Sequence, residues 1–258
     1  MTRCPAENPL DNLTGIVASA RMHLEMERSL GAEHLPFRPE RVKELRGKRR
    51  AAAAAPAGPS AAGKAAELEK LRRELEPCCR CELGQGRKNL VFGVGRPDAD
   101  LLFVGEGPGQ QEDEQGVPFV GPAGQLLTKI IEAIGLPRDE VYIANIVKCR
   151  PPGNRPPLPE ESALCLPYLR RQIEIIRPRI IVTLGNVPTQ TLLQTAVGIT
   201  KTRGIFVERD GILFMPTFHP AYLLRDPNKK KEVWEDMKKI WAKMKELGLR
   251  IGELKSAR

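Results

Sequence analysis

Residues 100–109 read DLLFVGEGPG, and the fold turns on them. Asp100–Gly105 is an apolar run of strand length that breaks into a glycine and proline loop. Three more runs of this kind follow: Val141–Lys148 (VYIANIVK), Arg179–Leu184 (RIIVTL) and Ile212–Pro216 (ILFMP). Helical segments lie between them. Ala123–Leu136 carries Leu126, Leu127, Ile130, Ile131 and Ile134 at helical spacing, and Pro159–Arg177 and Asn186–Ala196 are two more. Trp234, Met237, Ile240, Trp241, Met244 and Leu247 mark the apolar face of a C-terminal helix. Alternation of strands with helices predicts an α/β fold in three layers, α/β/α, around a central, mostly parallel four-stranded sheet. Such sheets bind ligands beyond the carboxyl ends of their strands, so a site is expected in the loops after Val104, Ile146, Leu184 and Met215.

The rest of the chain sets the bounds. Its 258 residues carry 41 Lys+Arg against 32 Asp+Glu, a net charge of +9 that points to a polyanionic partner such as nucleic acid. Glu67–Glu76 is expected as a short helix with Leu68, Leu71 and Leu75 on one face. Residues 1–35 read as a helical extension, with a helix around Leu13–Leu30. Residues 36–66 read as a basic, Ala/Pro-rich flexible linker, and 67–258 as the folded domain. Arg38–Arg50 alone contributes +5, and Arg225–Arg258 another +5, which leaves a near-neutral body. The N-terminus shows no run of signal-peptide type and no stretch is long enough to span a membrane, so a soluble, cytoplasmic protein is expected. In that compartment cysteines are metal-bound or reduced more often than paired.

Cys78 and Cys81 form a C-x2-C pair, and Cys149 and Cys165 follow with 15 residues between them. Four thiolates suit a tetrahedral metal or an iron–sulfur cluster, and spacing alone does not separate zinc from [4Fe–4S]. Cys4 and Cys79 fall outside this set. Cys149 sits just after a strand in the stretch Lys148–Pro156, made stiff by prolines and basic by Lys148, Arg150 and Arg155.

Gly105–Gly109 lets a ligand approach the backbone, where free N–H groups can hold a carbonyl or anionic oxygen. It is neither a P-loop nor G-x-G-x-x-G, which argues against a nucleoside triphosphate. Phe119, between proline and glycine, is either a plug beneath the loop or a platform for a base. Asn145 is a polar amide in an apolar strand, costly unless satisfied. It is either bonded to backbone or a pyrimidine reader. Its carbonyl would accept from uracil N3–H and its NH2 would donate to O4, a pattern that cytosine reverses. His219 lies at a strand's carboxyl end, outside the N-terminal arm that holds the other two histidines. Leu223 and Leu224 with Arg225 make an apolar tip backed by a cation: helix-start packing, or a wedge for a base stack with Arg225 on phosphate.

In combination, Cys78-x2-Cys81, GEGPGQQEDEQGVPFVGPAGQLL, VYIANIVKCRPPGNRPP, Cys149-x15-Cys165, IIVTLGN and PTFHPAYLLR resemble the family 4 (thermostable, iron–sulfur) uracil-DNA glycosylases from about Leu68 to Lys245. The resemblance implies the uracil-DNA glycosylase fold and a [4Fe–4S] cluster on Cys78, Cys81, Cys149 and Cys165. It also implies hydrolysis of the N-glycosidic bond of uracil in single- or double-stranded DNA, by a monomer with no membrane role. The substrate-binding set expected on these grounds is Gly105, Glu106, Gly107, Phe119, Asn145 and His219. The catalytic set is His219, which donates to uracil O2, with Glu106 or Glu112 to position water or steady the sugar cation. Glu112 has a second reading, as a block to a 5-methyl group. Several related families carry Asp where this chain has Gly107. A cluster-bearing binder with a decayed site, a glycosylase of shifted specificity and an electron-transfer protein are the rival readings. The intact Phe119, Asn145 and His219 argue against the first, the Asn145 amide favours uracil over the second, and the third has no use for a wedge.

Overall fold

The computed structural model describes residues 60–254. The helix expected around Leu13–Leu30 and the basic arm Arg38–Arg50 lie outside the described residues.

The first helix among the described residues, α1 (Ala61–Leu75), starts earlier than the expected Glu67. The Ser60 hydroxyl accepts from the Gly63 N–H at 3.2 Å and caps it, and the alanine-rich segment behind it is good helix-forming sequence. Leu68, Leu71 and Leu75 are buried along one face, as their spacing requires. Eight more helices follow: α2 (Leu83–Gly86), α3 (Gln110–Gln115), α4 (Pro122–Ala133), α5 (Pro159–Ile176), α6 (Asn186–Leu193), α7 (Ile199–Thr202), α8 (Pro220–Arg225) and α9 (Lys230–Glu246).

The strands are β1 (Val94–Gly95), β2 (Leu101–Gly105), β3 (Tyr142–Asn145), β4 (Ile180–Leu184), β5 (Val207–Arg209) and β6 (Ile212–Thr217), in the sheet order β1-β3-β2-β4-β6-β5. The four strands expected from sequence form the centre, and β3-β2-β4-β6 pair in parallel throughout. The sheet nevertheless has six strands and is mixed, not four-stranded, because β1 and β5 add to its edges antiparallel. Neither edge strand had an apolar run to announce it. β1 is two residues long, and β5 carries Glu208 and Arg209 on a largely exposed edge. β3 is also shorter than expected, since the chain leaves the ladder after Asn145.

Strand alternation divides the core into two. Leu101 and Phe103 pack on one side with Leu127 and Ile131 of α4 and with Met237, Ile240 and Met244 of α9. Leu102 and Val104 pack on the other with Leu68, Leu71 and Leu75 of α1 and with Leu169 and Ile176 of α5. Each fully buried side chain of this size contributes about 1.5–3 kcal/mol. The parallel register sets Gly105 beside Asn145 and Leu184 beside Thr217, so the loops bearing candidate site residues leave one end of the sheet.

Candidate active site

Gly105, Asn145 and Phe119 are built around one another. A Cβ on Gly105 would stand 2.5 Å from Asn145 Oδ1 and 2.5 Å from Phe119 Cζ, so only glycine fits. Asn145 is 1% exposed, and its Oδ1 is buried with no hydrogen-bond partner. A buried carbonyl oxygen without a donor costs about 1–3 kcal/mol, which makes it a place for a ligand N–H. Phe119 takes a left-handed backbone conformation, φ 55°, that turns its ring inward. The ring stands 5.6 Å from that of His219, tilted by 33°.

The Phe119 loop is held from two sides. Glu112 Oε1 accepts from the N–H groups of Val120 and Gly121 at 2.9 and 2.8 Å, at the start of α4. Arg138 donates from Nη2 to the Pro118 carbonyl at 2.8 Å and from Nη1 to Thr128 Oγ1 at 2.9 Å. Arg138 was not singled out from sequence, because nothing in a short surface turn announces that it reaches back 20 residues. Glu106 differs from Glu112. It lines the cavity half-buried, and burial alone pushes its carboxyl above the ordinary carboxylate range. Gly107 lets the loop approach the segment that follows β3, since a Cβ there would stand 2.7 Å from Val147 Cγ2.

His219 caps α8. Its Nδ1 accepts from the Ala221 N–H at 3.1 Å, which leaves the proton of the neutral ring on Nε2. Burial first, and the nearby Arg225 second, lower its pKa to about 4, so the ring is neutral at physiological pH.

Glu106, Gly107, Glu112, Phe119, Asn145 and His219 line a cavity of about 800 Å³, together with Gln110, Pro151, Arg155, Tyr222 and Arg225; Gly105 does not line it. The loop after Cys149 forms its far wall. Arg155 is not free there, because it makes a two-pronged ion pair with the buried Glu161 at 2.7 and 2.8 Å. The expected wedge is split by helix phase. Leu223 is 1% exposed and belongs to the core, which removes it from any wedge, whereas Leu224 is 47% exposed. Arg225 is exposed at the cavity rim.

Cys78, Cys81, Cys149 and Cys165 line one small cavity, with Arg80, Arg87, Lys148 and Tyr168 around them. Gly84 allows this closeness, since a Cβ there would lie 2.7 Å from the Cys78 carbonyl oxygen. Arg87 Nη1 donates to Cys149 Sγ at 3.1 Å. Burial pushes the Cys81 and Cys149 thiols up, and that of Cys165 to about 11. Four sulfur donors facing one cavity, with cations at hand to offset thiolate charge, fit a soft metal centre or cluster. The fit is one of donor chemistry and shared lining only, because among the described residues these sulfurs are not drawn together into a ready-made group of three or more metal ligands. Lys148, the last residue of the expected second strand, is fully buried there. Its Nζ donates to the Asn145 carbonyl at 2.9 Å and to Gln172 Oε1 at 2.6 Å.

A family model described as the uracil DNA glycosylase superfamily matches residues 92–244. A type-4 uracil-DNA glycosylase of Sulfurisphaera tokodaii is 50% identical over 182 residues, covering 67% of this chain and 82% of its own. That of Thermotoga maritima is 46% identical over 176 residues, covering 67% of this chain and 92% of its own. That of Saccharolobus solfataricus is 46% identical over 181 residues, covering 67% and 84%. No helix among the described residues is long and apolar enough to cross a membrane.

Proposed function

The chain belongs to the uracil DNA glycosylase superfamily, and we propose that it acts as its type-4 relatives are named, excising uracil from DNA in base excision repair. The observation that carries the reading is the buried, unpartnered Asn145 Oδ1 in the cavity that the Phe119 ring and the His219 imidazole also line. A flipped uracil suits this arrangement. Phe119 stacks on its face, Asn145 Oδ1 accepts from N3–H, and the amide NH2 donates to O4.

The chemistry follows from where charge develops. As the C1′–N1 bond breaks, its electron pair passes to the base and gathers on O2 and O4, while the sugar becomes an oxocarbenium ion. A neutral His219 with its proton on Nε2 donates a hydrogen bond to O2. Backbone N–H groups of Glu106 and Gly107 meet the same side. One preorganised donor of this kind is worth about 3–4 kcal/mol. Water then adds to C1′, and the proton it gives up passes to the Glu106 carboxylate and from there neutralises the departing uracil anion. Glu106, half-buried in the cavity wall, is the carboxylate that positions that water, and Glu112 holds the Phe119 loop instead.

Extruding the nucleotide costs a few kcal/mol of unstacking. Leu224 fills the gap, and Arg225 takes a phosphate. Cys78, Cys81, Cys149 and Cys165 would hold a [4Fe–4S] cluster, and with it bound these residues would link the segment after α1 to the loop after β3 and to α5; the group would supply a one-electron centre that base hydrolysis does not use. The enzyme acts as a monomer on single- or double-stranded DNA, in the cytoplasm.

The test is purified protein on an end-labelled oligonucleotide with one uracil, followed by alkali. A single cut at the uracil position supports the reading, and intact oligonucleotide from both single- and double-stranded substrates overturns it.

A further inference from the structure

At the end of β6, two residues before His219, lies a buried polar cluster whose members do not line the cavity and for which base recognition has no use. Asp236, on α9, is 1% exposed. Its Oδ2 accepts from Thr217 Oγ1 at 2.7 Å, and its Oδ1 accepts from Arg203 Nη2 at 2.7 Å. Thr217 is fully buried and is the last residue of β6, two positions before His219. Arg203, at the end of α7, also pairs with Glu232 at 3.3 Å and donates to the Glu232 carbonyl. Its guanidinium carbon lies 5.2 Å from the centre of the Phe218 ring, over its face.

The end of β6 and the one residue between it and His219 are therefore fixed. The Pro216 carbonyl accepts from the Gly204 N–H at 2.9 Å, and the Thr217 carbonyl from the Gly185 N–H at 2.9 Å. Phe218 is pinned between Arg203 and Tyr222, whose ring centre stands 5.2 Å away. Gly204 itself is shaped by the cluster, since a Cβ there would stand 2.5 Å from Asp236 Oδ1. A buried carboxylate costs several kcal/mol of desolvation, and well-packed apolar residues would fill the same space without that cost. What the charged pair adds is direction: two oxygens with two assigned donors permit one placement of the strand end.

We propose that Asp236, acting through Thr217 and paired with Arg203, is a positioning device that sets the His219 imidazole for transition-state donation. It touches neither base nor sugar. The inference rests on the role given above to His219. It concerns how that donor is aimed, not whether uracil is the substrate.

Thr217→Val keeps the shape and removes the donor to Asp236. With the full-length protein, single-turnover excision is measured on a uracil-containing duplex. Affinity is measured separately on a duplex bearing 2′-fluoro-deoxyuridine, whose glycosidic bond resists cleavage. The expected result is a rate lower by about 10- to 100-fold, as small misplacement of a catalytic group produces. Affinity should change by less than about twofold, since the loss falls on the transition state. Thr217→Ser, which keeps the hydroxyl, should restore the rate. Asp236→Asn, which keeps an acceptor for Thr217 and removes the charge opposite Arg203, covers the case in which Thr217→Val does not fold. An unchanged rate overturns the proposal, as does equal loss of rate and affinity, or failure of serine to rescue. Complete inactivity of the unaltered protein on uracil would instead sink the glycosylase reading itself.

Discussion

Gly105 and Asn145 share one space: the place a Cβ would take on Gly105 is 2.5 Å from Asn145 Oδ1. They are register partners on adjacent parallel strands, so the sheet itself sets the amide at the cavity floor. Gly105→Ala therefore displaces the amide and the Phe119 ring together. Excision should fall by at least about 10-fold, because a shift of well under 1 Å is felt in positioning. Steady-state kinetics alongside thermal melting checks this, and a folded Gly105→Ala protein with normal turnover would refute the packing argument.

Asn145→Asp changes the donor pattern offered to the base. Uracil-over-cytosine preference should fall by about 10-fold or more, in line with 1–3 kcal/mol for a matched pair. Competing uracil- and cytosine-containing oligonucleotides measure the ratio. An unchanged ratio would remove Asn145 as the reader.

His219 gives a pH dependence with a definite sign. Its folded pKa, about 4, lies below the ordinary histidine value of about 6.5, so the unfolded chain takes up the proton first as pH falls. The stability it contributes is whole above about pH 6.5 and is lost as pH falls toward the folded value, with a slope of up to about 1 kcal/mol per pH unit. Urea titrations of the wild type and His219→Gln at several pH values read this slope by difference. The rate of base release should likewise show no inflection from His219 near pH 6.5. The acid limb should come from Glu106, whose pKa burial raises, and should vanish in Glu106→Gln, leaving a low, flat profile.

Neighbouring leucines should part company. Leu223→Ala opens a cavity in the core and should cost about 2–5 kcal/mol in unfolding free energy. Leu224→Ala should leave stability within about 0.5 kcal/mol, as for an exposed position. It should slow excision from duplex DNA far more than from single strands, where no stack needs to be held open.

This pair shows where sequence stops being enough. Both leucines are equally apolar, and only the phase of the six-residue helix α8 sends one inward and the other out. Glu106 and Glu112 are similar: the amides that occupy Glu112 belong to Val120 and Gly121, and no local pattern connects them. Lys148 and Arg155 read as a basic loop, yet one is buried on Asn145 and Gln172 and the other is paired with Glu161. By contrast, the central strands were legible because strands covered on both faces are apolar throughout, and β2 and β4 are buried at every position. That Asn145 and His219 would face one cavity was legible for a related reason, since ligands sit beyond the carboxyl ends of such strands. Phe119, in the loop between α3 and α4, stood out only as an aromatic between proline and glycine, and the structure brings it to the same cavity.

The central claim is that the cavity holds a flipped uracil and releases it as free base. It is tested most directly by one measurement: release of labelled uracil from a uracil-containing oligonucleotide, in parallel with oligonucleotides carrying cytosine, thymine or hypoxanthine at the same position. The account predicts free uracil and an equal amount of alkali-labile abasic site, with little release from cytosine or thymine. No free base from the uracil oligonucleotide, or release of cytosine as fast as uracil, would contradict it.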